Sequence, residues 1–111
     1  MARIVLDGAA ENVVLARAFA AATLHVLGVP DDDVEGVRLI VSELVTALIT
    51  DGADRVLIEV IDGDQPALRI GSDGTLPSLT APAGRIVEAS LGVGLDVADG
   101  CWRVPLRVFR S

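Results

Sequence analysis

VRLIVSELVTALITDG, residues 37–52, is the stretch around which the domain is organised. Val37, Val41, Leu44 and Leu48 recur at steps of three and four, which stacks them on one face of a helix. Ile40, Val45 and Ile49 widen that face until little of the circumference is polar, so the helix is expected inside the domain. One carboxylate, Glu43, sits in its middle. A charge on a buried helix is costly unless it is paired, reaches a cleft or takes part in chemistry. Glu43 is therefore the first candidate functional residue, the alternative being that it simply reaches solvent from the helix flank.

Working outward toward the N-terminus, Pro30 breaks the chain, and Asp32 with Glu35 gives a capping-box-like start to this helix. Asp31, Asp32 and Asp33 suit the positive end of its dipole and are read as structural, not as a metal site. An earlier helix is expected from a cap at Asp7 or Gly8 to about Leu27, stopped by Gly28. Leu15, Phe19, Ala22 and Val26 form its expected core stripe. A second stripe of Val13, Ala20, Leu24 and Leu27 lies almost opposite, either covered within the protomer or available to a dimer or partner. Arg3 to Leu6, short and β-branched, reads as a first strand.

On the other side, the period switches to two from Arg55 to Ile61. Gly63 to Pro66 turns the chain and Ala67 to Ile70 returns, which makes a hairpin in which Glu59 and Arg69 face each other as a cross-strand pair. Gly71 to Gly84 reads as a loop, rich in glycine and proline. A short helix is expected from Leu91 to Ala98, opened by Gly92-Val93-Gly94 and closed by Gly100. The last strand runs from Trp102 to Phe109, with Pro105 marking an edge or a bulge. Strand, two helices, hairpin, loop, helix, strand is an α+β order. It predicts a two-layer sandwich of a mostly antiparallel sheet with helices on one face, residues 1–111 forming one domain.

Composition excludes several functions. Of 111 residues, 51% are hydrophobic, which argues against disorder, and the formal net charge is −7. All nine basic residues are Arg. An acidic chain is poorly suited to neutralise phosphates, so no nucleic acid is expected as a partner. No run approaches the roughly 18–20 apolar residues of a membrane span, and MARIVLDG is interrupted by Asp7 where a secretory signal needs an apolar run. The single Cys101 has no disulfide partner and no metal-like companions, and His25, alone in an Ala-rich helix, reads as structural. A reducing, cytoplasmic setting is expected.

Three places carry chemistry: Glu43 with Ala47 one turn on, Ser72-Asp73-Gly74 at the end of a strand, and Gly92-Val93-Gly94-Leu95, glycines whose backbone can approach an anion. Together, and in this order, they resemble the small actinobacterial ATP-binding regulators of the GHKL superfamily, which have the Bergerat fold, and most nearly the anti-sigma-factor serine kinases. Ser42-Glu43-Leu44-Val45-Thr46-Ala47 and on to Gly52 is similar to that family's N-box, SELVTNAxxHG. Asp73-Gly74 is similar to its G1 box, DxGxG, and Gly92-Val93-Gly94-Leu95 to its G2 box, GxGL. The resemblance implies that Glu43 is the general base, that Asp73 and Gly74 meet adenine, that Gly92, Gly94 and Leu95 cradle the phosphates, and that residues 74–91 form a lid.

The departures fall on metal and nucleotide contacts. Ala47 stands where the family has the asparagine that holds Mg²⁺, and a methyl group offers no oxygen. Asp51 replaces the His, one turn from Ala47. The later glycines of the G1 box fall at Thr75 and Pro77. The expectation is a regulator with weakened or lost Mg-ATP binding that acts on a protein partner, a sigma factor or an anti-sigma-factor antagonist. The alternatives are an active ATP-dependent serine/threonine kinase, with Glu43 as its working base, and an unrelated α+β binding domain.

Overall fold

The central helix forms where its apolar spacing requires it. A computed structural model describes residues 2–91 and 95–106. In it the helix, labelled α2 once β1 (Ala2–Asp7) and α1 (Asn12–Val26) are counted, spans Asp31–Thr50. Val34, Val37, Ile40, Val41, Leu44, Val45 and Leu48 are its buried residues. Helix-closing bonds follow the Gly signal: Gly52 N–H donates to Ile49 O and Ala53 N–H to Leu48 O, each at 3.0 Å. This reversal needs a left-handed residue, and Gly52 supplies it with φ +90°. The helix start differs from expectation. Pro30 is the N-cap and no side chain caps the helix. Glu35 instead holds Arg38 at 3.1 Å.

After α2 come β2 (Arg55–Ile61), β3 (Ala67–Ser72), α3 (Ala81–Leu91), β4 (Asp96–Ala98) and β5 (Cys101–Pro105). The described strands form one sheet in the order β1-β2-β3-β5-β4, antiparallel throughout. Alternate residues Val56, Ile58, Val60, Leu68, Ile70, Trp102 and Val104 point to one face and join the helices in a single buried cluster. The architecture is thus α+β, a five-stranded antiparallel sheet with three helices. On the opposite face, Glu59 pairs in register with Arg3 on one side and Arg69 on the other. The expected cross-strand pair is formed, with Arg69 Nη1 3.1 Å from Glu59 Oε1. Pro105 is the last residue of β5, beyond the reach of β4, which pairs only with Cys101–Arg103, so its missing N–H breaks no bond on that side.

Four further expectations are corrected. In α1 the buried residues are Ala16, Ala20 and Leu24, whereas Leu15 is 52% and Val26 86% exposed. The core side is mainly the second stripe, Ala20 and Leu24 with Val13 and Leu27 half-buried beside them, while of the expected stripe only Phe19 packs against the core. Gly8 does not cap this helix; its N–H donates to Asp54 O at 2.8 Å. The segment read as loop and lid contains α3, whose Val87 is 1% exposed in the core. And no helix spans Leu91–Ala98, because Asp96–Ala98 is strand β4, joined to β5 by Asp99 (φ +54°) and Gly100 (φ +75°). Positive φ at both central residues marks the tight hairpin turn that an Asp-Gly pair favours. The glycines Gly92 and Gly94 lie outside the described residues, as do residues 107–109 of the expected last strand. Among the described residues no helix is long and apolar enough to cross a membrane.

Candidate functional site

Glu43 lies halfway along α2 on a flank that is partly covered, not sealed in the core. No ion pair or hydrogen bond holds it among the described residues. It lines a cleft of about 240 Å³, walled by Glu43 and Ala47 of α2 and by Asp51 just after it and, across from them, by Ser78, Thr80 and Ala83 around the start of α3. A second cleft, of about 280 Å³, opens past the end of α2 and is lined by Asp51, Asp54, Ser72, Asp73 and Gly74 among others. Asp51 lines both. The fold therefore brings Glu43, Ala47, Asp73 and Gly74 to adjoining clefts at one end of the helix layer.

Local structure gives two of these residues a role of their own. Asp73 Oδ1 accepts the backbone N–H of Arg55 at 3.4 Å, one step beyond the last β2–β3 pair, Val56 with Ser72. The Gly74 N–H donates to Ser72 Oγ at 3.1 Å. The Ser-Asp-Gly turn thus clasps the end of the hairpin, and Asp73 is exposed at the cleft mouth.

The helix that opens toward Glu43 is α3, which the sequence reading missed. Its signals were present: Thr80 before Ala81-Pro82 is an N-cap followed by proline in the first turn, where a missing N–H does no harm. The prolines at 77 and 82 are loop signals as well, and they mask the helix start in the sequence. Thr80 Oγ1 accepts the N–H of Ala83 at 3.3 Å, and Thr80 O that of Gly84 at 2.8 Å. Of the N–H groups of residues 81–84, that leaves only Ala81's for an anion, since Pro82 has none. Leu95 is half-buried against the core just before β4.

The electrostatics are one-sided. Glu43, Asp51, Asp54 and Asp73 line the two clefts, and no arginine is among the described lining residues. These carboxylates are not gathered into a chelate: among the described residues no group of three His, Cys, Asp or Glu side chains is placed to hold a metal ion. No protein-family model matches the chain, and no curated protein does. The described residues give open clefts lined by hydroxyls and carboxylates, suited to hydrogen-bond donors.

Proposed function

We propose that this chain is a regulatory protein on a GHKL-like scaffold, with the Bergerat fold, that has lost productive Mg-ATP binding and acts through contact with a protein partner such as a sigma factor or its antagonist. The scaffold is supported by the element order up to β3 and by the meeting of Glu43 and Asp73 at adjoining clefts. The loss of nucleotide rests on one observation above the rest: among the described residues, four carboxylates and no arginine line those clefts. A nucleoside triphosphate brought there meets like charge at close range, where each uncompensated pair is unfavourable.

Among the described residues, those at the clefts do not fit Mg²⁺ or the phosphates. Ala47 has no donor oxygen, Asp51 is not part of a ligand group, and the α3 N-terminus has one free N–H where a phosphate site needs several. On this reading the clefts support no phosphoryl transfer, and Glu43 is a retained carboxylate without a reaction to serve. Calorimetric titration of the full chain with ATP, with and without Mg²⁺, tests this. The expected result is no metal-dependent heat. A micromolar, Mg²⁺-dependent isotherm would overturn the reading in favour of the kinase.

A further inference from the structure

The helices cover one face of the sheet, and the other face carries a charged rung that crosses all five described strands. Arg3 of β1 stands in register with Glu59 of β2, Glu59 with Arg69 of β3, Arg69 with Arg103 of β5, and Arg103 with Asp96 of β4. Like charges directly opposite each other on neighbouring strands are destabilising, and Arg69 beside Arg103 is such a pair. The chain leaves it largely uncompensated. Glu59 bonds Arg69 at 3.1 Å, but among the described residues Arg3, Arg103 and Asp96 form no ion pair. Arg103 reaches the Gln65 carbonyl at 3.5 Å. The rungs on either side are apolar, with Val5 and Leu57 on one and Ile61, Ala67 and Pro105 on the other. Val5 is 48% exposed, and neither it nor Leu57, Ile61 or Pro105 packs against the core cluster. We propose that this face is a docking surface for an acidic segment of a partner protein, its carboxylates on the arginines of the rung and its apolar side chains on the rungs beside it.

Charge and spacing select that occupant. Adjacent strands lie about 4.8 Å apart, so Arg69 and Arg103 hold one carboxylate between two guanidinium groups. Arg3 lies two strands from Arg69, about 10 Å away, and takes a second. Glu59 engages Nη1 of Arg69, and a guanidinium has further N–H donors, so Arg69 serves both acids. The chain as a whole has a formal net charge of −7. An acidic segment is therefore repelled by the molecule at large and held only where these arginines stand, which gives the surface its specificity. A nucleic acid is the poorer fit. Among the described residues this face carries no aromatic ring for a base to stack on, because Trp102 points into the core. A few charge-assisted contacts on an open face make a weak, salt-sensitive complex. The surface shares no described residue with the two clefts, so it goes beyond their reading and does not depend on it.

Fluorescence anisotropy tests this with the full chain and a labelled peptide rich in Asp, Glu and Leu, against a counterpart with Asn and Gln in place of the acids. The acidic peptide is expected to bind at low ionic strength and more weakly as NaCl is added, and the neutral one is expected not to bind. Arg3→Gln combined with Arg103→Gln should weaken binding by at least about tenfold, with unchanged circular dichroism as the folding control. Arg103→Gln alone should weaken it too. Arg85→Gln, at an exposed position of α3, changes the net charge equally and should leave binding as it is. In amide NMR spectra the bound peptide should shift Val5, Leu57 and Gly71 and leave α3 unmoved. The proposal is overturned by no binding of the acidic peptide, by equal binding of the neutral one, or by an equal loss in the Arg85→Gln variant. Tighter binding of a single-stranded oligonucleotide at the same rung overturns it as well. None of these measurements involves Mg-ATP, so failure here leaves the reading of the clefts standing.

Discussion

At the residue scale, the most consequential charge in the structure is not the one that first drew attention. Glu59 is 8% exposed, bonded to Arg69 and flanked by Arg3 in register, so it neutralises the Arg69 guanidinium on the outer face of the sheet. Removing it strands a half-buried Arg69 beside Arg103, its neighbour on β5. Glu59→Ala is expected to lower stability by about 1–3 kcal/mol in urea denaturation, because the partner left behind stays desolvated. Glu43 has no such partner, and Glu43→Gln should change stability by less than about 0.5 kcal/mol. Ala47→Asn isolates the metal question. An amide there supplies one oxygen but removes none of the four carboxylates, so the variant should show no Mg²⁺-dependent heat with ATP. Nucleotide binding by that variant would mean a latent site.

At the element scale, α3 is the part that changes the reading of the site. It turns a supposed lid into a helix anchored by Val87, and it places a capped N-terminus across the cleft from Glu43. Thr80→Ala should cost about 1 kcal/mol by removing the side-chain acceptor for Ala83, measured by thermal or urea unfolding. Pro82 and Thr80 together explain why this helix start is closed to anions: the same features that stabilise the first turn use up its donors. The β4–β5 hairpin shows a comparable trade. Three exposed residues would be a poor helix or strand alone, and the Asp99-Gly100 turn fixes them as the edge of the sheet.

At the scale of the whole molecule, one core cluster joins all three helices to one face of the sheet, so unfolding is expected to be cooperative. Trp102, the single tryptophan, is 4% exposed within that cluster. Its fluorescence should report the same unfolding midpoint as far-UV circular dichroism. Saturating Mg-ATP should leave that midpoint unmoved, since a ligand stabilises only through binding to the folded state. Separate midpoints for the two probes would show that the helix layer and the sheet unfold independently.

Local pattern was sufficient for the central helix, the ends of α1 and α2 at Gly28 and Gly52, the β2–β3 hairpin and the Glu59–Arg69 pair. These follow from periodicity, turn chemistry and neighbours a few residues apart, which a chain carries in its own order. The same spacing could not say which stripe of α1 faces inward, because two apolar faces on one helix are equivalent until a second helix packs against one of them. Glu43 and Asp73 were legible as candidates by residue type and position. That they border adjoining clefts with Asp51 as a shared boundary, and that Glu43 faces a helix start short of donors, depends on contacts between segments distant in the chain. Sequence determined the elements and the chemical inventory. Tertiary packing decided which faces are buried and which donors remain, because both depend on what each surface is packed against.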